Sequence, residues 1–218
     1  MKLFYSPASP FARKVRAAAI ELGLSDRLEL EIINTAPGKP DRAFAQAYNP
    51  LRKVPTLLCD DGTTVYDSTL ICEYLDALAG GGRIIPREGA PHRWRVLTNH
   101  TLAHGLCEAC LSIRYETALR PEPHRWQVWI DDQWDRVDSG LAWFSHNSAE
   151  LSDPINLAHL ALGCLLGYLD FRMPERDWRA RYPLLREWFE RLERRPSFQQ
   201  TRPVNPPGVG GQPAAVNR

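Results

Sequence analysis

Two short motifs stand at the points of the chain best suited to binding an anion. Ser9 directly precedes Pro10, and the pair Asp67-Ser68 precedes a second apolar repeat. Serine and aspartate are preferred helix N-caps, and proline fits the first helical position. Because a helix N-terminus carries partial positive charge, a thiolate beside Ser9 would be stabilised by the dipole and by a hydroxyl hydrogen bond. Ordinary capping explains each motif equally well when it is taken alone.

The first motif lies between a predicted strand and a predicted helix. The strand is Lys2-Leu3-Phe4-Tyr5, and Gly23 is well placed to end the helix. Apolar side chains recur between them at helical spacing, at Phe11, Val15, Ala18, Ala19 and Leu22. The sequence therefore predicts that Ser9 caps the helix at a strand-to-helix junction.

The following elements complete a small mixed sheet. Residues 28–33 alternate apolar and charged side chains, which predicts a strand with one buried face. The helix between the two strands implies a right-handed connection and parallel pairing. After a polar stretch at 35–49, residues 53–59 and 64–66 are predicted to pair as antiparallel strands. A helix that opens at Asp67-Ser68 follows, with an apolar stripe of Leu70, Ile71, Tyr74, Leu75 and Leu78.

The element order predicts an α/β domain followed by an all-α domain. The first, residues 1–79, has the order βαβ then ββα of a thioredoxin-like domain, and residues 80–90 are a predicted linker. Residues 91–202 show only helical patterns, and the helix that begins at Asn156 is apolar around most of its circumference, which predicts complete burial. The Pro- and Gly-rich residues 203–218 are predicted to be disordered.

The composition argues against several classes of function. Charged residues make up 24% of the 218 residues and the net charge is +1, so no electrostatic case exists for a nucleic-acid or anionic-membrane partner. Neither a targeting segment nor a run of some twenty apolar residues is evident. The five cysteines are scattered rather than framing small loops. We therefore expect a cytoplasmic protein with a small-molecule substrate.

The motifs together resemble the bacterial glutathione S-transferase family, from Met1 to about Pro203. Five motifs agree with the family in their order and spacing along the chain. These motifs are Ser9-Pro10-Phe11, Asn49-Pro50-Leu51-Arg52-Lys53-Val54-Pro55, Asp67-Ser68, Gly167-Tyr168-Leu169-Asp170-Phe171-Arg172 and Arg195-Pro196-Ser197-Phe198. The resemblance implies a thioredoxin-like domain followed by the family's helical domain. It also implies a two-fold homodimer, with an expected interface around Tyr74 and around Trp94 to Cys110.

The resemblance implies a catalytic role for one residue and a backbone role for two others. Ser9 would stabilise the thiolate of glutathione. Pro55 would be cis and would turn the backbone groups of Val54 toward the cysteinyl part of glutathione, to pair in the manner of a strand.

The two ends of glutathione are assigned by the same resemblance. Asp67 and Ser68 would hold the γ-glutamyl end, and Lys53 or Lys39 would meet the glycyl carboxylate. Taken singly, each of these residues has an ordinary explanation as a cap or a solvated charge. The implied glutathione-binding set is Phe11, Lys39, Lys53, Val54, Pro55, Asp67 and Ser68.

Two positions depart from the family pattern. Arg52 stands where relatives commonly have glycine, and its guanidinium could contact an anion or stay solvated. At the start of the buried helix the family has Ser or Thr with Asp, whereas this chain has Asn156 and His159. Asn156 should still cap well, and we expect His159 to be neutral and structural.

Four potential metal ligands fall on one helical stripe, namely His100, His104, Cys107 and Cys110. The stripe spans roughly 15 Å at 1.5 Å per residue, which is too long for one tetrahedral ion. We therefore expect no metal, and expect the stripe to face the first domain or the dimer interface. The Cys107-x-x-Cys110 pair lies in mid-helix, away from the redox position of the fold, which Ser9 occupies.

All seven tryptophans belong to the helical domain. Most are expected to be core or interface anchors, and one or two are expected to wall an apolar pocket above Ser9 for the electrophile.

The expected function is transfer of glutathione to a small electrophile or peroxide, with no cofactor beyond glutathione as co-substrate. A glutathione-dependent thiol/disulfide reductase is an alternative, although a mixed disulfide needs cysteine where this chain has Ser9. A non-catalytic binding or regulatory protein that kept the fold is the second alternative.

Overall fold

A four-stranded mixed sheet forms the first half of the molecule in a computed structural model, which describes residues 1–33, 35, 38, 41–152 and 154–207. The strands are β1 (Lys2–Tyr5), β2 (Glu29–Ile32), β3 (Thr56–Leu58) and β4 (Thr64–Val65). Their order in the sheet is β2-β1-β3-β4. Strand β1 pairs in parallel with β2 and antiparallel with β3, which in turn pairs antiparallel with β4. The predicted pairing of both strand pairs is confirmed.

Helices make up the rest of the regular structure in the described residues. They are α1 (Pro10–Glu21), α2 (Arg42–Ala47), α3 (Ser68–Leu78), α4 (Arg93–Ala118), α5 (Gln127–His146), α6 (Leu157–Arg172), α7 (Trp178–Arg181), α8 (Pro183–Leu192) and α9 (Pro196–Gln199). No strand follows β4 in the part of the chain that is described. The fold class is therefore the predicted one, a thioredoxin-like domain followed by a helical domain.

Helix α6 is the centre of the helical domain, as its composition predicts. Every residue from Leu157 to Leu169 is buried, and the helix packs against α1 and α4. Asn156 caps it, because its Oδ1 accepts hydrogen bonds from the backbone N–H groups of Ala158 (3.0 Å) and His159 (3.2 Å). The His159 ring is buried and its Nε2 lies 3.1 Å from the carbonyl oxygen of Glu150.

Two details of the first domain differ from the sequence prediction. The apolar side chains of β2 were expected to be buried, but Leu30 and Ile32 are each 44% exposed. Strand β2 is an edge strand, with a neighbouring strand on one side only. The polar stretch 35–49 was not expected to contain a helix, yet it includes α2, which Asp41 caps through a 2.9 Å hydrogen bond from the Phe44 N–H group.

The stripe predicted for α3 is only partly buried. Ile71 and Leu75 are in the core, whereas Leu70 is 50% exposed and Leu78 is 38% exposed. The helix ends at a buried carboxylate, because Asp76 accepts hydrogen bonds from three backbone N–H groups of residues 82–84. These bonds fix the chain as it leaves the first domain.

The predicted disorder of the C-terminal residues falls mostly outside the described residues, which end at 207. Within them, the Val204 N–H group donates a 3.3 Å hydrogen bond to the Pro7 carbonyl oxygen. None of the described helices combines the length and the apolar character that crossing a bilayer requires.

Candidate active site

Ser9 is the N-cap of α1, as predicted. Its Oγ accepts a 3.2 Å hydrogen bond from the Ala12 N–H group, and Pro10 occupies the first helical position. A hydroxyl oxygen that accepts from the backbone keeps its own proton to donate. Ser9 therefore presents an O–H donor at the positive end of a helix dipole.

The loop before β3 lies beside α1 and exposes backbone groups. The Val54–Pro55 peptide bond is cis, as predicted. Asn49 is buried and holds the loop, since its Nδ2 donates to the carbonyl oxygen of Lys53 (3.1 Å) and to Thr56 Oγ1 (2.8 Å). The backbone N–H and C=O groups of Val54 make no hydrogen bond with any described residue, so both can pair with a peptide.

Arg52 adopts a backbone conformation that glycine enters more easily than other residues. Its φ is +55°, in the left-handed region that non-glycine residues enter at a cost. The Arg52 N–H group donates a 2.8 Å hydrogen bond to the carbonyl oxygen of Asn49, which stabilises this turn. Arg52 lines the cleft in front of Ser9.

Asp67 and Ser68 open α3, as predicted. Asp67 Oδ1 accepts a 2.8 Å hydrogen bond from the Thr69 N–H group. Burial acts to raise the pKa of Asp67, but this backbone bond and nearby positive charge outweigh it and lower the pKa. The Ser68 hydroxyl is buried and has no hydrogen-bond partner among the described residues.

One cleft of about 640 Å³ joins the two domains in front of Ser9. The thioredoxin-like side contributes Ser9, Phe11, Arg52, Lys53 and Val54. The helical side contributes Glu108, Leu111, Ser112, Arg114, Tyr115, Leu119, Tyr168 and Arg172. Of the predicted glutathione-binding set, Pro55, Asp67 and Ser68 do not line this cleft, and Lys39 lies outside the described residues.

The apolar wall of the cleft differs from the sequence prediction. Tryptophans were expected there, but none lines the cleft in the described part of the chain. Trp178 and Trp188 are buried, and Trp94 is 75% exposed. The long side chains of Tyr115 and Tyr168 occupy the place expected for tryptophan.

A buried lysine next to Ser9 was missed by the sequence analysis. Lys14 lies one turn further along α1, and its Nζ is 2.9 Å from His100 Nε2 and 3.2 Å from His104 Nδ1. Burial lowers the pKa of Lys14, and burial together with the lysine charge lowers the pKa of His100 to about 3 and that of His104 to about 4. The imidazoles are thus neutral and lie within hydrogen-bond distance of the Lys14 amino group, and the two histidines of the stripe face the first domain.

The remaining residues of the stripe lie in the core. Cys107 and Cys110 are buried, and burial raises the pKa of both thiols, that of Cys110 to about 12. No group of three or more potential metal ligands converges among the described residues. All five cysteines are free and buried, so Ser9 rather than a thiol faces the cleft.

Comparison with known proteins gives consistent matches to one family. Residues 8–78 match the model of the glutathione S-transferase N-terminal domain, and residues 127–191 match that of the C-terminal domain. An uncharacterised GST-like protein of Escherichia coli, YibF, is 32% identical over 93% of this chain and 98% of its own length.

Solved structures agree with these matches. A glutathione transferase family member from Pseudomonas fluorescens Pf-5, with bound glutathione, is 41% identical, with a TM-score of 0.89 over 93% of this chain and 98% of that one. A second structure from that organism, with bound S-(propanoic acid)-glutathione, is 39% identical, with a TM-score of 0.85 over 94% of this chain and 100% of that one. With both domain models matched and a 32% identical relative covered almost completely, the chain belongs to the glutathione S-transferase family.

Proposed function

We propose that this chain is a glutathione transferase in which Ser9 stabilises the thiolate. The observation that carries the proposal is the Ser9 hydroxyl, which accepts from Ala12 N–H, keeps a proton to donate and faces a cleft. A charge-assisted hydrogen bond from this hydroxyl would be worth roughly 1.5 to 3 kcal/mol. The thiol proton leaves to solvent, and the sulfur then attacks an electrophilic carbon, whose leaving group departs with the bonding electrons. With a peroxide the sulfur attacks one oxygen, the O–O bond breaks, the second oxygen leaves as the alcohol after taking a proton from solvent, and the sulfur is oxidised by the peroxide.

The neighbouring residues support a peptide orientation across the cleft. The unpaired backbone of Val54 suits the cysteinyl unit, and Lys53 or Lys39 suits the glycyl carboxylate. Asp67 and the unpartnered Ser68 hydroxyl, at the start of α3, suit the γ-glutamyl ammonium and carboxylate. Phe11 would pack beside the sulfur, because it lines the cleft together with Ser9. Relatives with glutathione or S-(propanoic acid)-glutathione bound support a site of this kind.

The experiment that tests the function combines binding and turnover. Calorimetry at millimolar glutathione should show binding to the metal-free protein, and a generic aryl halide should be conjugated. Binding without conjugation or thiol transfer would favour the non-catalytic alternative. No binding by folded protein would exclude both enzymatic functions.

We also propose a homodimer that works in the cytoplasm. The half-exposed Leu70 and the exposed Trp94 lie on the two faces expected to form the interface. Five free cysteines suit a reducing compartment.

A further inference from the structure

Two arginines on the helical wall of the cleft lack any counter-ion. Arg114 of α4 and Arg172 of α6 both line the cleft, and each is half-buried. Neither makes a hydrogen bond or an ion pair with any residue that the structure describes. Arg179, which has a similar exposure, contacts Asp170 at 2.8 Å and Glu193 at 3.2 Å. Arg176 is also half-buried and without a hydrogen bond or ion pair among the described residues, but its guanidinium carbon lies 3.8 Å from the centroid of the Trp134 ring and it does not line the cleft.

The two arginines bring two positive charges to the same wall of the cleft. Burial and the charge of Arg114 both lower the pKa of Arg172. Like charges brought together in a partly desolvated place are unfavourable unless an anion joins them. The pair thus has the charge and the partial burial of an anion-binding site.

A third donor lies beside the two arginines. Tyr168 lines the same wall, and burial raises the pKa of its hydroxyl, so the hydroxyl stays protonated. This hydroxyl makes no hydrogen bond with a described residue. An anion between Arg114 and Arg172 would therefore meet two guanidinium groups and one phenol donor.

The two arginines lie on the wall of the cleft opposite the groups proposed to bind glutathione, so they are available to bind the electrophile. Lys53 and Arg52 stand on the opposite, thioredoxin-like wall, where the glycyl carboxylate of glutathione is placed by the proposed function. Glu108 is the one carboxylate among the described lining residues, and it lies 3.7 Å from His104. Leu111, Leu119 and Tyr115 add apolar surface around the arginines.

We propose that Arg114 and Arg172 bind a carboxylate carried by the electrophile, so that the enzyme prefers electrophiles with an apolar or aromatic body and a carboxylate. This inference rests on the proposed function, since it assigns the substrate class of the same cleft. A bidentate contact from an arginine is well suited to a carboxylate.

A suitable reaction is the conjugation of 4-chloro-3,5-dinitrobenzoate. The thiolate sulfur forms a bond to the ring carbon that carries chlorine, the carbon–chlorine bond breaks, and chloride leaves with the electron pair. The thiol proton goes to solvent, and nothing is oxidised or reduced. The carboxylate on the far side of the ring forms and breaks no bond, and its electronic effect on the ring is the same with every variant, so a change between variants reports its contact with the protein.

The test compares two ligands that differ only in charge, S-(4-carboxybenzyl)glutathione and S-(4-carbamoylbenzyl)glutathione. Calorimetry should show that the wild-type protein binds the carboxylate about tenfold to a hundredfold more tightly than the amide. Arg114→Gln and Arg172→Gln should each remove most of that preference, and Arg172→Lys should restore part of it. Arg191→Gln, an exposed arginine of α8 away from the cleft, is the control and should leave the preference unchanged.

Two further measurements distinguish binding of the electrophile's carboxylate from a role in glutathione binding or in stability. Glutathione itself should bind equally well to wild type, Arg114→Gln and Arg172→Gln. Neither substitution should lower the melting temperature by more than a few degrees, because no hydrogen bond or ion pair is lost and Arg172 gives up only its contact with the Phe171 ring, whose centroid lies 4.1 Å from the guanidinium carbon. The kcat/KM for 4-chloro-3,5-dinitrobenzoate relative to its amide should fall in parallel with the binding preference.

The outcomes that overturn the proposal are distinct. Equal binding of both ligands by the wild-type protein overturns the carboxylate preference but leaves the glutathione site standing. Loss of glutathione binding in the arginine variants assigns the pair to glutathione and also overturns the preference. Failure of the wild-type protein to bind glutathione or either ligand overturns the proposed function, and the preference with it.

Discussion

At the scale of single residues, the proposed chemistry depends on the hydroxyl group of Ser9. It accepts from Ala12 N–H at 3.2 Å and donates toward the cleft at the start of α1. Ser6 lines the same cleft but precedes the cap by three residues. Its carbonyl oxygen accepts a 3.0 Å hydrogen bond from the Ser9 N–H group. The two serines therefore offer a matched pair for mutagenesis.

Exchange of Ser9 for cysteine should change the reaction type. A thiol at a helix N-terminus has a depressed pKa and forms a mixed disulfide with glutathione. We expect Ser9→Cys to gain thiol-transfer activity and to lose conjugation by about tenfold, measured with a disulfide substrate and an aryl halide. Ser6→Cys is the control and should gain much less. Equal gain at both positions would show that the cap has no special role.

The two buried histidines should make stability depend on pH. Their folded-state pKa values, about 3 for His100 and about 4 for His104, lie below the unfolded value. Their neutral forms are thus favoured by folding, so stability is fully present above the unfolded pKa of about 6.5 and is lost as pH falls below it. Asp67 also acts on this cluster, and its lowered pKa keeps it charged over the range. Glu108 faces the cluster as well, with Oε1 3.7 Å from His104 Nε2.

Urea unfolding at pH 7.0 and 5.5 measures this dependence. The unfolding free energy should fall by about 1 kcal/mol for each histidine over this interval. His100→Gln keeps an acceptor for Lys14 but does not titrate, and should reduce the fall by about that amount. His124→Gln, at an exposed position, should not. If the unfolding free energy of His100→Gln fell as much as that of wild type between pH 7.0 and 5.5, folding would not lower the pKa of His100.

At the scale of elements, the sequence predicts the helices and strands that periodicity and capping residues determine. It does not predict the features that depend on tertiary contacts. The strand-to-helix junction at Ser9, the cap of α6 and the hairpin all follow from local residue types. The exposure of Leu30 does not, because it depends on the position of β2 at the sheet edge. Helix α2 was missed because its six residues are too few for a clear period.

The candidate site divides in the same way. Ser9 and the cis bond before Pro55 belong to contiguous motifs, which a sequence shows directly. Lys14, Arg114 and Arg172 are remote from those motifs and reach the site only through the packing of α1 against α4 and α6. A lysine on an otherwise apolar helical face was the one available signal for Lys14.

The cap of α6 should contribute measurably to stability. Asn156→Ala leaves two backbone N–H groups without their acceptor and should lower the unfolding free energy by about 1 to 2 kcal/mol in urea unfolding. Asn156→Thr, which restores a capping oxygen, should recover most of it. Asn205→Ala, at an exposed position, is the control. A loss below about 0.3 kcal/mol in Asn156→Ala would contradict a capping contribution.

At the scale of the whole molecule, α1 holds the two domains together. Glu21 receives two hydrogen bonds from Arg195, at 2.8 and 2.7 Å, and one from Ser197. Arg13 donates to the carbonyl oxygen of Phe198 at 3.2 Å. The same helix carries Ser9 at its N-terminus, so the position of the hydroxyl against the helical wall is fixed by the domain contact.

The proposed homodimer is tested by mass in solution. Light scattering at micromolar concentration should give twice the chain mass, and Leu70→Glu should shift the protein toward monomer because it places a charge on the expected interface. Val128→Glu, at an exposed apolar residue outside that interface, should stay dimeric. A monomeric wild-type mass would contradict the proposal.

The pKa of bound glutathione tests the central claim most directly. Thiolate absorbance near 240 nm, followed against pH with saturating glutathione, should give a wild-type pKa about one to two units below the usual thiol value of about 8.5. In Ser9→Ala it should return most of the way to that value, while Ser6→Ala should match wild type. The same depressed pKa in wild type and Ser9→Ala, with glutathione bound in both, would contradict the assignment of Ser9.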